Sequence, residues 1–121
     1  MIRASLALVL LAAGTPTALK QTRGDPPLAF TRCATCHATT EGAAHGLGNT
    51  LFGIYGKRAG TMPDFAYSEA MEASRIVWTS ATLDAFIADP RAVVPGTKMS
   101  SAKLSDPDKR AEIVRYLKSL R

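Results

Sequence analysis

Extended alternation is missing from this chain. Nowhere do apolar and polar residues alternate with period two over a useful length, so strands are left out of the expected fold. Internal repeats and low-complexity stretches are missing as well. The one long uncharged apolar run, Ala4 to Ala13, falls well short of the ~20 residues that a membrane-spanning helix needs. Basic residues outnumber acidic ones by 15 to 10, for a formal charge of +5, but they are scattered rather than clustered. That pattern argues against a nucleic-acid partner and suits acidic proteins or an anionic membrane surface. Cysteine and histidine are scarce, with two of each in 121 residues. Both cysteines and one histidine fall in a single pentapeptide.

That pentapeptide is Cys33-Ala34-Thr35-Cys36-His37, a C-x-x-C-H sequence of the kind that attaches a c-type haem. The chemistry uses each element. Two thiols three residues apart can each add to one vinyl group along one porphyrin edge, and the histidine that follows can reach the iron from one face. Two other readings stand beside it. A C-x-x-C can be a thioredoxin-like redox pair, but the βαβ surround is not seen. It can also be part of a zinc site, and Cys33, Cys36, His37 and His45 make a Cys₂His₂ set on paper. Adjacent Cys36 and His37 suit one tetrahedral ion poorly. Haem c with its iron is the favoured cofactor.

The N-terminus reads as an export signal: Arg3, the apolar run, then small residues. Residues 1–18 are expected to be this signal, cleaved after Gly14 or Ala18, with an uncleaved anchor as the alternative. Residues 19–121 are then one haem domain of roughly a hundred residues. Export fits the haem reading, because bacterial c-type haem is joined to protein outside the cytoplasm. The expected location is the periplasm.

Turn and cap residues divide the rest. Asp25-Pro26 reads as a helix start running into the cysteines. Glu41 to Asp64 reads as loop, with Gly42, Gly46, Gly48, Gly53, Gly56, Gly60 and Pro63 allowing backbone to wrap closely around a flat ligand. Ser68 to Ser74 fits a short helix. Thr79 or Ser80 caps another, whose Leu83, Phe86 and Ile87 share one face, and Asp89-Pro90 ends it. Arg91 to Lys103 reads as loop, with a turn at Pro95-Gly96. A last helix starts at Ser105 or Asp106 with Pro107 in its first turn. Ile113, Leu117 and Leu120 form its stripe, widened by Val114 and Tyr116. The expected fold is all-α, three to five helices with long loops. Loops this long in so small a domain need something large at the centre, and a haem supplies it.

With His37 on one side of the iron, water, His45 or a methionine must take the other. A thioether binds iron in both oxidation states and raises the potential. Met62, Met71 and Met99 are the candidates. Spacing favours Met99, which follows the stiff Pro95-Gly96-Thr97-Lys98 turn. No distal histidine–arginine pair suggests peroxidase chemistry.

From Asp25 to Lys118 the chain resembles the class I cytochromes c, closest to the mitochondrial and mitochondrial-like bacterial (cytochrome c2) group. Pro95-Gly96-Thr97-Lys98-Met99 is similar to the family's methionine-ligand loop. Gly53-Ile54-Tyr55-Gly56-Lys57 and Gly60 are similar to its glycine loop. Phe65-Ala66-Tyr67-Ser68 resembles the segment covering the propionates. Trp78, Leu83, Phe86 and Pro90 fall at its spacings, and Ile113 with Tyr116-Leu117-Lys118 resembles its C-terminal helix. The resemblance implies a small cytochrome c fold around one covalent haem. Cys33 and Cys36 would be the thioether links, His37 and Met99 the axial ligands. Tyr67 and Trp78 would donate to a propionate, Lys57 would stand where an arginine is usual, and Thr97 would donate to the other propionate.

The implied function is a soluble one-electron carrier and not an enzyme. A cytochrome bc1-type donor and an oxidase- or reaction-centre-type acceptor are the expected partners, with no nucleic acid. Peripheral membrane contact and a monomeric state are expected. Arg32, Arg91 and Lys98 would steer acidic partners. Alternatives are a peroxidase-like or gas-binding protein with a labile Met99, or an electron-transfer subunit of a larger dehydrogenase. The chain also departs from the pattern. Asn49 replaces a proline whose carbonyl accepts the imidazole proton. Met71 replaces an asparagine near the pocket. Ser101 replaces an aromatic residue, opening the pocket edge. Asp25 and Ala29 replace a glycine–aromatic pair, with Phe30 next door.

Overall fold

The computed structural model describes residues 24–121, so the expected export signal lies outside the described residues. Among the described residues five α-helices follow one another: α1 (Thr31–Ala34), α2 (Glu69–Ala73), α3 (Ser80–Ala88), α4 (Pro90–Val93) and α5 (Pro107–Ser119). A 3₁₀ turn, Leu28–Phe30, leads into α1. Among the described residues there is no strand, only an isolated bridge between Arg58 and Val77.

The first helix starts later than Asp25-Pro26 implied. Pro26 is itself followed by proline, and Pro27 is extended at φ −64, ψ 153. A residue before proline is pushed out of the helical region, so the Pro26-Pro27 pair delays the helix. The later caps behave as the sequence indicates. The Ser68 side chain accepts from the Met71 N–H and starts α2. Thr79 caps α3 in a reciprocal pair with Thr82. Asp106 accepts from the Asp108 and Lys109 N–H groups, with Pro107 in the first turn of α5. Asp89 ends α3 but does not open a loop. Its carboxylate accepts from the Ala92 N–H at 3.3 Å and starts α4. The expected loop from Arg91 therefore begins only after Val93.

The core forms where α5 meets α3 and the 3₁₀ turn. Ile113, Leu117 and Leu120 are buried as their stripe predicts. Phe30 fills the place that Ala29 leaves short of an aromatic. It is 2% exposed and stands edge-on to Tyr116, with ring centroids 4.8 Å apart. One residue of register is thus exchanged, and the 3₁₀ turn still packs on α5. Arg110 ties α5 to α3: its Nε donates to Asp84 at 2.8 Å and its Nη1 to the Leu104 carbonyl at 2.8 Å.

Candidate functional site

Between these helices and the glycine-rich segment lies a cavity of about 670 Å³. Cys33, Cys36, His37, Lys57, Tyr67, Trp78, Thr97 and Met99, drawn from the whole chain, all line it. So do Met62 and Met71, the other two candidate thioethers. Apolar walls come from Phe30, Leu51, Ile54, Leu83, Phe86 and Leu117. The volume lies within the range of cofactor pockets, and the mostly apolar lining with convergent polar groups suits a large flat ligand.

The α1 helix places the two thiols. It ends in a turn in which the Cys36 and His37 N–H groups both donate to the Cys33 carbonyl, at 3.1 and 3.0 Å. Cys33 and Cys36 are free thiols, not a disulfide. Burial pushes the Cys33 thiol up; neighbouring Arg32 opposes this, and Cys36 adds to it. A raised thiol is unlike the low-pKa cysteine of a redox pair. Nor do the described residues bring three or more histidine, cysteine or acidic side chains together around a metal-sized point, so the Cys₂His₂ set does not form.

His37 is held on two sides. Its Nδ1 lies 2.6 Å from the Asn49 carbonyl. A carbonyl can only accept, so Nδ1 carries the proton and Nε2 keeps its lone pair for a metal. The bond expected from a proline at this position survives with Asn49 because it uses backbone. Against the ring lies Gly48. A Cβ built there would sit 2.3 Å from His37 Cε1 and 2.6 Å from Nδ1. Burial lowers the His37 pKa, and its bond to Asn49 partly opposes that.

The peptide that accepts from His37 is held from its other end. Its N–H, that of Thr50, donates to His45 Nδ1 at 2.9 Å. His45 Nε2 in turn donates to the Pro63 carbonyl at 2.8 Å. His45 is thus a structural brace across two loops, with both ring nitrogens engaged, and it does not line the cavity. Asn49 Nδ2 also reaches Met62 Sδ, at 3.9 Å.

Met99 lies in an irregular segment. Its N–H donates to Thr97 Oγ1 at 3.2 Å, and Lys98 Nζ donates to the Ala66 carbonyl at 3.2 Å. Arg32 reaches over to the Ala102 carbonyl at 2.7 Å. Exposed Arg32, Leu47, Ser101 and Ala102 line the cavity where it meets solvent. Met71 is buried, Tyr67 is half-buried with its hydroxyl pKa raised by that burial, and Trp78 is buried against Phe86 at 5.2 Å. Arg91 does not line the cavity. The contacts of Gly48 and Arg32 carry no local sequence signal, because each depends on where a distant segment lies.

No protein-family model matches the chain. It is 40% identical to cytochrome c2 iso-2 of Magnetospirillum molischianum over 97 residues, 80% of this chain and 99% of that one. It is 37% identical to cytochrome c2 of Blastochloris viridis over 111 residues, 92% of this chain and 87% of that one. Cytochrome cH from Methylobacterium extorquens superposes with a TM-score of 0.71 at 40% identity, covering 75% of this chain and 91% of that one. The chain belongs to the class I cytochrome c family, electron-transfer proteins built around one covalently bound haem c and its iron.

Proposed function

We propose that the chain is a soluble one-electron carrier whose haem iron is held between His37 and Met99, with Cys33 and Cys36 as the thioether links. The carrying observation is the state of His37: Nδ1 is spent on Asn49, Nε2 is left for iron, and Met99 lines the same cavity. When bound, the haem supplies the one-electron redox centre. The chain's own residues orient it and tune it. Asn49 and Gly48 fix the imidazole plane. Met99 would supply the second protein ligand to the iron, which would leave no open position for substrate and favour outer-sphere transfer. Tyr67 and Trp78 would donate to one propionate and Thr97 to the other, with Lys57 as a counter-charge. The apolar walls keep water from the metal.

Residues 1–18 direct export to the periplasm and are removed, leaving residues 19–121 as the haem domain. A cytochrome bc1-type complex is the donor, and an oxidase or reaction centre the acceptor. The basic surface, Arg91 included, attracts acidic partners over the ~8 Å that physiological salt allows.

The test is a set of alanine variants at the three cavity methionines. Met99→Ala should abolish the weak sulfur-to-iron charge-transfer band of the oxidised protein and lower its potential. Met62→Ala and Met71→Ala should keep the band. Loss of the band in either of those variants, with retention in Met99→Ala, would overturn the ligand assignment.

A further inference from the structure

The segment that carries Met99 has an unusual means of attachment. From Lys98 to Ser105, among the described residues, no backbone group bonds to another backbone group. Cationic side chains bridge this segment to the rest of the molecule. Arg32 donates to the Ala102 carbonyl at 2.7 Å, and Arg110 to the Leu104 carbonyl at 2.8 Å. Two of the segment's own lysines reach outward, Lys98 to the Ala66 carbonyl at 3.2 Å and Lys103 to the Asp89 carboxylate at 3.0 Å.

We propose that Arg32 is a positioning residue for the Met99 loop, a strap that holds the distal ligand segment closed over the cavity. Three observations carry this. Arg32 directly precedes Cys33, so the strap is anchored beside the thiols. Its helix follows Phe30, which is locked onto Tyr116 of α5 with ring centroids at 4.8 Å, so the anchor is firm. Its guanidinium crosses 70 residues of sequence to land on the residue after Ser101, where the cavity meets solvent. A hydrogen bond from a cation to a neutral carbonyl is stronger than a neutral pair, and the carbonyl has no backbone partner to replace it. Arg32 therefore does more than add charge to a docking face. Without it, the Ala102 carbonyl loses its partner, and the nearest remaining tethers are those of Lys103 to Asp89 and of Arg110 to Leu104.

The inference rests on the reading of Met99 as ligand, and the experiment separates the two. The probe is imidazole, which binds the oxidised iron only when the distal ligand is off. The readouts are imidazole affinity and the saturating rate of binding, which reports loop opening. In Arg32→Ala both should rise roughly three- to tenfold, the range of one lost net hydrogen bond. Arg115→Ala removes the same charge from an exposed position on α5 and should match the parent protein. Lys98→Ala, which cuts the strap on the other side of Met99, should shift both readouts in the same direction as Arg32→Ala. If Arg32→Ala binds imidazole as the parent and Arg115→Ala do, while Met99→Ala loses the charge-transfer band, the strap alone is overturned. If the band survives in Met99→Ala, the ligand reading fails and the strap falls with it.

Discussion

Replacing Gly48 by alanine would drive a methyl group into the imidazole of His37. The built Cβ lies 2.3 Å from Cε1, 2.6 Å from Nδ1 and 2.8 Å from Nε2. Ordinary contact begins about 1 Å further out, so the ring or the loop must move by about that much. The backbone of Gly48 is not in the left-handed region, so the cost is steric and not conformational. The ring has little room to yield, because Nδ1 is held at 2.6 Å by the Asn49 carbonyl next in the chain. The loop has little room either, since the Thr50 N–H of that same peptide is held by His45 at 2.9 Å. Overpacking costs about 1–3 kcal/mol, and loss of the His37 bond adds about 1 kcal/mol. A total of ~2–4 kcal/mol is a large share of the ~5–15 kcal/mol that holds a domain together. Guanidinium unfolding of the haem-loaded protein reads this directly, as a midpoint lower by about 0.5–1 M. Gly24→Ala is the control, because its Cβ meets nothing within 4 Å. A Gly48→Ala midpoint equal to that of the parent would refute the idea that the ring is clamped.

Three further outcomes follow from the same geometry. His45→Ala removes one acceptor and one donor from the brace between Thr50 and Pro63, and should cost about 1–3 kcal/mol in thermal or denaturant unfolding; a neutral result would mean that solvent replaces the brace. Phe30→Ala empties a fully buried site against Tyr116 and should cost about 3–5 kcal/mol, enough to unfold much of the protein on warming; a loss under about 1 kcal/mol would show that the 3₁₀ turn contributes little to the core. Burial holds the His37 imidazole below the ordinary histidine pKa, so as pH falls from about 7 through about 6.5 the unfolded chain takes up a proton that the folded chain refuses. Stability from this group is intact above that range and declines on acidification, and a denaturation midpoint that rises between pH 7 and pH 5 would contradict the sign.

Much of the site was legible because its chemistry is local or backbone-borne. The C-x-x-C-H run needs only one helical turn to place two thiols and an imidazole. Asn49 could stand in for a proline because the acceptor is a carbonyl, which every residue has. The caps at Ser68, Thr79 and Asp106 each act within three residues of themselves, so they could be read from their neighbours. Where local signals competed, the expectation slipped. Asp89 carries both an ending and a start, and only the ending was foreseen. The Asp25 cap signal lost to the second proline at Pro27.

The sequence by itself determined the covalent cofactor chemistry and the helical class, because short-range spacing and side-chain type suffice for these, while Lys57, Tyr67, Trp78 and Thr97 were indicated by the family resemblance. Tertiary structure alone decided how they are held. That Gly48 lies flat on His37, that His45 braces the accepting peptide, and that Arg32 reaches Ala102 across 70 positions are outcomes of packing. Chain closure over such distances depends on every segment between, and no local pattern records where a long loop returns. For the same reason Arg32 reads in sequence as a charge that steers acidic partners, and only the folded chain shows the carbonyl it holds.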